Sequence, residues 1–263
     1  MVFPAPQKIE ASKYISCKEE PIINLIAPKD IMEKRTAFGS AFSSSGNVVV
    51  TAEVIDSREY SYVNEIAKYT KEKYILNITG DESMIEIKAC SSSKRGLWYA
   101  LNTIEKLVEK NSFPIGQIVD YPLFQMRGLI EGFYGNPWSF SARRELIALA
   151  SRNNMNTYFY APKDDSYHRR RWRELYPEEE LSQLADLVKF TDDVCMDFHY
   201  CIAPGLSMCY SSEDDFEYLK KKTEQLYSIG IRKFGLLLDD IPEKLAHEDD
   251  AKLYGETVNA HID

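Results

Sequence analysis

From Arg127 onward the chain repeats one pattern four times: a short apolar run, a turn rich in Gly, Asn or Pro, then an amphipathic helix. A strand signal covers 128–134 and stops at Gly135-Asn136-Pro137, and Ser139 or Ser141 is placed to cap a helix reaching about Asn153. Residues 156–160 are the second strand signal, ending in Ala161-Pro162; a helix follows from about Glu178, with Leu181, Leu184, Ala185 and Val188 on one face. The third strand signal, Asp197–Ile202, ends in Ala203-Pro204-Gly205, and its helix carries Phe216, Leu219, Thr223 and Leu226. The fourth, 233–238, runs into Asp239-Asp240, and Ala251, Tyr254, Val258 and Ile262 then recur at helical spacing. Strands alternating with helices in this way imply parallel pairing with crossover helices. Four units suffice for a small open sheet or for half of a (β/α)8 barrel, since a complete barrel takes typically ~250 residues.

The preceding part has a different rhythm. Val48-Val49-Val50 and 74–79 read as strands. Ile85, Ile87 and Ala89 alternate with Glu86, Lys88 and Cys90, the mark of a half-buried strand. Leu97, Ala100, Leu101, Ile104, Leu107 and Val108 place an amphipathic helix over about 95–110. Residues 40–46, rich in Ser and Gly, read as a loop. The expected fold class is therefore α/β: a small α+β domain over 1–124, without a catalytic constellation, followed over 125–263 by the βα repeats.

Composition narrows the function classes. Net charge is −9, which disfavours nucleic acid as a partner, and the basic run 168–171 is too short to reverse that. No stretch approaches the ~20 apolar residues that span a bilayer. The start, M-V-F-P-A-P-Q-K, lacks the basic and apolar regions of a secretory signal. Five cysteines without metal-type spacing read as free thiols, with Cys195, Cys201 and Cys209 as small core residues; a cytoplasmic protein is expected.

Chemistry-bearing residues gather just after each strand, at the rim where parallel α/β folds place their sites. Gly132 and Gly135 bracket Phe133-Tyr134, which lets a ligand approach backbone while rings wall it; a tight turn with packed aromatics explains the same residues equally well. Tyr160–Arg169 with Trp172-Arg173-Glu174 mixes cations, carboxylates and aromatics, which suits a polyhydroxylated ligand or, alternatively, a loop stapled by its own ion pairs. Asp239-Asp240 stands out among five Asp-Asp pairs because an apolar strand signal leads directly into it. Its plainer explanation is a helix N-cap with a solvated neighbour.

Several longer strings carry a specific resemblance. R-G-L-I-E-G-F-Y-G-N-P-W-S from Arg127, N-T-Y-F-Y-A-P-K-D-D-S-Y-H-R from Asn156, W-R-E-L-Y-P from Trp172, I-A-P-G-L from Ile202 and L-L-D-D-I from Leu237 stand in order and register. With them the chain resembles the family-84 glycoside hydrolases: protein O-GlcNAcases, bacterial β-N-acetylglucosaminidases and hyaluronidase-like enzymes. The resemblance is strong over about 125–245 and weak before it. It implies the first half of a (β/α)8 TIM barrel, truncated after the fourth βα unit, behind an N-terminal α+β domain.

The resemblance also implies roles. Asp240 matches the general acid/base and Asp239 the carboxylate that holds the substrate's 2-acetamido N–H. Lys163 and the Gly132 backbone match groups that hold sugar hydroxyls, with Phe133 and Tyr134 near the pocket wall. Asp164 and Asp165 are not the family's acid pair. The implied reaction is retaining and substrate-assisted: the acetamide oxygen attacks the anomeric carbon to form an oxazoline, anionic Asp239 steadies the amide nitrogen, and Asp240 protonates the leaving oxygen. Adjacent acids suit this, because repulsion favours one ionised and one protonated member. Neighbours on a strand point to opposite faces, so both reach one pocket only if the strand ends there, as Ile241-Pro242 suggests. No metal and no cofactor are implied; the implied partner is an N-acetylglucosamine-containing glycan or glycoprotein, without nucleic acid or membrane.

One departure is local: Ala203-Pro204-Gly205-Leu206-Ser207 stands where many members have Ser-Pro-Gly-Leu-Asp. Residues of the remaining barrel strands, which close the family's acetamide pocket, have no counterpart here. Two other readings follow. One is a non-catalytic fragment or carbohydrate-binding remnant, and this chain by itself is expected to be inactive. The other, a nucleotide-binding open α/β protein, lacks a Gly-rich phosphate loop after the first strand.

Overall fold

A computed structural model describes residues 3–55, 70–241 and 243–262. The chain divides into two compact units, one of residues up to 127 with 148–155, the other of 128–147 with 156 onward.

The first unit holds a six-stranded mixed sheet. Its strands are β1 (Lys8–Ile15), β2 (Ile23–Ile26), β3 (Val48–Val54), β4 (Tyr74–Gly80), β5 (Ile85–Ser91) and β6 (Phe113–Asp120), in the order β1-β6-β4-β5-β3-β2. Strands β2, β3 and β5 are parallel; the others pair antiparallel. Helix α1 (Lys29–Ala37) follows β2, and α2 (Lys94–Glu109) packs on β3, β4 and β5. Ser93 caps α2 by accepting from Gly96 N at 3.0 Å, and of the residues whose spacing predicts the helix Leu97, Ala100, Leu101, Ile104 and Leu107 are buried and Val108 is half-buried. Three strands and α1 were not read from sequence. Strand β1 is exposed at every residue but Ile15, so it shows no alternation.

The second unit holds a four-stranded, all-parallel sheet in sequential order: β7 (Gly128–Glu131), β8 (Thr157–Tyr160), β9 (Asp197–Ile202) and β10 (Lys233–Leu236). Helix α3 (Phe140–Arg152) follows β7, α4 (Glu178–Asp193) follows β8 and α5 (Glu213–Ser228) follows β9. Ser139, rather than Ser141, caps α3 by accepting from Ala142 N at 3.1 Å. Tyr158, Phe198, Tyr200, Leu184, Leu187 and Leu226 are buried.

Several expectations change. Strand β7 ends at Glu131 instead of 134, and β10 at Leu236 instead of 238; beyond these points single backbone hydrogen bonds carry the pairing on into the rim. The predicted last helix is two helices, α6 (Glu248–Tyr254) and α7 (Thr257–Ile262), broken at Gly255 with φ 73°. Helix α5 buries Leu226 as predicted and half-buries Leu219 and Thr223, but Phe216 is 59% exposed, and Asp215 and Lys222 are buried instead. Polar partners decide this. Asp215 accepts from Arg173 Nε and Nη2, both at 2.5 Å, and the Lys222 ammonium lies 4.5 Å from the Tyr176 ring centroid and donates to Tyr167 O. Burial pulls the Lys222 pKa down to about 8. Cys195 and Cys209 are only half-buried and lie outside the strands; Cys201 is a core residue. Among the described residues no helix is long and apolar enough to cross a membrane.

Candidate active site

The site is assembled at the C-terminal ends of the parallel strands of the second unit. Ladder hydrogen bonds continue past β7 and β8: Ala161 N donates to Glu131 O and Lys163 N to Phe133 O, both at 3.1 Å. Lys163 is thereby fixed beside Phe133 by its own backbone. Its side chain is 5% exposed, and only the ammonium reaches the rim. On the other side, Leu237 N donates to Ile202 O at 2.8 Å, so β10 stays tethered to β9 until just before the two acids.

Lys163 Nζ lies 2.5 Å from Asp239 Oδ2 and 3.7 Å from Asp240 Oδ2. The two carboxylates are 54% and 51% exposed, open to a ligand. The hydrogen bond from Lys163, reinforced by its charge and by that of Arg169, holds the Asp239 carboxyl below its ordinary pKa. Asp240 has φ 52°, the left-handed region. Adjacent residues of an extended strand would face opposite ways, and this turn lets both acids stand at one ammonium. Neither acid caps a helix, since the next helix begins at Glu248. Pro242 lies outside the described residues.

Tyr134 donates its hydroxyl to Asp240 Oδ2 at 2.7 Å, so it touches the acid as well as lining the rim. Phe133 packs on Trp138, with ring centroids 5.1 Å apart. Gly132 is exposed, and a Cβ added there would meet only the Ile130 side chain, at 3.3 Å. The backbone at Gly132 is thus open to a ligand. Gly132, Lys163, Tyr134, Asp239 and Asp240 are all rim residues, and the last four are joined through ion pairs and hydrogen bonds.

Other polar residues of these segments have structural partners. Asp164 accepts from Gly135 N at 2.8 Å, tying the first rim loop to the second. Asp165 accepts from Tyr160 OH at 2.7 Å, Tyr176 OH at 2.6 Å and Tyr167 N at 2.9 Å. Both acids therefore fasten the loop that carries Lys163. The basic run 168–171 is not a surface patch: His168 and Arg169 are buried, and Arg171 pairs with Glu174. His168 Nδ1 bonds Cys201 O at 2.5 Å, and burial lowers its pKa, favouring the neutral ring. Ser207, the site of the local departure, accepts from Trp172 Nε1 at 3.2 Å and Arg173 Nη1 at 3.0 Å.

Sequence reasoning missed two supports. Glu131 is fully buried, pairs with Arg143 at 2.8 and 2.9 Å, and accepts from Trp138 N at 3.0 Å and from the Tyr158 hydroxyl. Its signal was a lone charge inside an apolar run just before Gly132. Arg169 stands in the sequence within a basic run and at the end of the mixed segment from Tyr160, and neither pattern shows that it bonds the Asp240 carbonyl.

Comparisons with known proteins bear on the family. Residues 127–263 match the family model described as beta-N-acetylglucosaminidase. Over 122 residues, 46% of the chain, the sequence is 42% identical to the protein O-GlcNAcase of Rattus norvegicus, the match taking in 13% of that protein. The solved structure of CpGH84B is 30% identical, covers 92% of this chain with TM-score 0.72, and is itself matched over 44% of its length. A mutant of the Thermobaculum terrenum O-GlcNAc hydrolase is 40% identical and covers 52% of this chain with TM-score 0.51, matched over 30% of its own length. The chain thus spans less than half of each of these relatives. With half of its residues inside the family match, the chain belongs to the family-84 glycoside hydrolases, the β-N-acetylglucosaminidase family.

Proposed function

We propose that the protein is a retaining β-N-acetylglucosaminidase that uses substrate-assisted catalysis on O-GlcNAc or related N-acetylglucosaminides. The observation that carries this reading is the convergence of Lys163, Asp239 and Asp240 on one open rim of a parallel sheet. Asp240 is the general acid, then the general base that activates water. Asp239, kept anionic by Lys163, orients the acetamido N–H and balances charge growing on the amide nitrogen. Lys163 and the Gly132 backbone hold sugar hydroxyls, while Phe133 and Tyr134 wall the pocket. The acetamide oxygen then attacks the anomeric carbon, and the enzyme needs no carboxylate nucleophile of its own.

The sequential parallel order supports reading the second unit as the first half of a (β/α)8 barrel. Strands β7 and β10 are edges, and Ile130 on β7 is 59% exposed. We therefore propose that the 263-residue chain by itself is inactive or nearly so, because alignment of the acetamide needs further walls. Its five free thiols support a reducing, cytoplasmic setting.

The test is turnover of aryl N-acetylglucosaminides by the 263-residue chain and by the longest natural chain that contains it. Substrates with N-acetyl and N-trifluoroacetyl groups are compared, because fluorination weakens the acetamide oxygen as a nucleophile. The long chain should act with retention and slow steeply on fluorination, and the short one should not act. A rate indifferent to fluorination rules out substrate assistance, and equal turnover by the two chains rules out the half-barrel reading.

A further inference from the structure

Arg169 is 6% exposed, yet its guanidinium faces the acid pair. Its Nη2 donates to the backbone carbonyl of Asp240 at 3.2 Å, and its guanidinium carbon lies 5.3 Å from the centroid of the Tyr134 ring. Tyr134 in turn donates to the Asp240 carboxylate at 2.7 Å. Asp240 is therefore gripped at both ends, its carbonyl directly by Arg169 and its carboxylate by a tyrosine that rests on the same guanidinium.

That double grip falls on a residue with φ 52°. A non-glycine residue holds the left-handed region only where its surroundings over-determine it, and such residues concentrate at functional sites. Binding the carbonyl fixes the peptide plane that follows Asp240. Without that bond the segment is free to return to extended backbone, and the carboxyl would then point away from the face that Asp239 and Lys163 share.

We infer that Arg169 is a positioning residue: by holding the Asp240 carbonyl it keeps the Asp240 backbone left-handed and aims the carboxyl at the leaving-group oxygen. This rests on the proposed role of Asp240 as general acid. Arg169 touches neither substrate nor reacting atoms in this reading. A lysine at 169 retains the charge but not the planar two-sided contact, so it should restore function only in part.

The experiment pairs a structure with a leaving-group series, using the longest natural chain that contains this sequence. Arg169→Gln and Arg169→Lys are crystallised and assayed on aryl N-acetylglucosaminides with activated and unactivated leaving groups. In Arg169→Gln, φ of Asp240 should turn negative and the Tyr134–Asp240 hydrogen bond should break. Its kcat should fall at least tenfold more on unactivated than on activated substrates, with KM little changed, and Arg169→Lys should lie between. A φ that stays near 50° in both variants, or equal losses for both leaving groups in an active enzyme, overturns the inference. If the wild-type protein turns over no aryl N-acetylglucosaminide, the functional reading fails instead, and the crystallographic arm still decides what Arg169 does. If Arg169→Gln does not fold, Arg169→Lys carries both readouts.

Discussion

Lys163 and Asp239, 76 residues apart in sequence, meet at 2.5 Å. The lysine is buried almost to its tip, whereas the carboxylate is half exposed. The cation is thus the fixed member and sets where the anion stands. A mobile surface pair of this length would add little, but here only one partner has freedom to lose.

This pair makes a pH prediction. Asp239 is held below its ordinary pKa by the Lys163 hydrogen bond first, and by charge second. The anion therefore survives as pH drops below the usual carboxylate range and is lost only as pH falls through the depressed value. The stability it lends follows the same sign: present above the unfolded pKa, lost on acidification through the folded one. Replacing Lys163 by Met should shift the acidic limb of kcat/KM to higher pH, and Lys163→Arg should shift it less. An unmoved limb in Lys163→Met would remove Lys163 as the cause.

Asp240→Asn keeps the shape and removes the proton that general acid catalysis delivers. Such catalysis is worth typically ~10²–10⁴-fold. The loss should be largest on unactivated leaving groups and smallest on activated aryl ones, which need little protonation. A uniform loss across the series would mean that Asp240 is not the acid.

Glu131 lies under the rim, bound to Arg143 through both carboxylate oxygens. Changing it to Ala leaves the Arg143 guanidinium buried and unpaired. Breaking a buried pair from one side costs about 3–5 kcal/mol. Equilibrium denaturation should register that loss, while Glu131→Gln, which retains acceptors for Trp138 N and one arginine nitrogen, should lose less. Equal stability of the wild type and Glu131→Ala would show that the pair is not what anchors the start of α3.

Gly128 and Gly132 offer a contrast within five residues. A Cβ at Gly128 would sit 1.7 Å from the Thr157 carbonyl oxygen on the neighbouring strand, so Gly128→Ala should part β7 from β8 and give insoluble protein. At Gly132 the same methyl meets only a side chain, so Gly132→Ala should fold normally. It should still depress turnover, because it occupies the proposed approach to the backbone and a 1 Å displacement of substrate costs about 10²-fold. Thermal melts and kinetics separate the two; a well-folded Gly128→Ala, or a fully active Gly132→Ala, would contradict this.

The parallel half of the fold was legible because apolar runs and turn residues alternate there without interruption. Strand Asp197–Ile202 and the start of α4 at Glu178 stand where the pattern put them. Strand β6 was invisible because Pro114 and Gly116 lie within it. Pro114 falls where β6 pairs with β1 alone, and Gly116 sits where a Cβ would strike Glu10 O at 2.0 Å. Both residues are answers to tertiary contacts that a local pattern does not display. On α5 the pattern found Leu226 but not Asp215 and Lys222, for the same reason: they go inward because Arg173 and two tyrosine rings receive them. At the site, the acid pair was legible from the strand before it, and its match to a family motif. The turn at Asp240 and the partner of Arg169 depend on backbone conformation, which composition does not encode.

Strand order also sets when each sheet can form as the chain leaves the ribosome. In the first unit β1 is an edge strand that pairs with β6 alone, Lys8 opposite Val119, so the earliest strand synthesised has no sheet partner until the last strand of that sheet has emerged. Its exposed, charged surface keeps it soluble during the wait. The second unit grows differently. Strands β8, β9 and β10 each appear beside a neighbour already made, so that sheet can lengthen one strand at a time in the direction of translation.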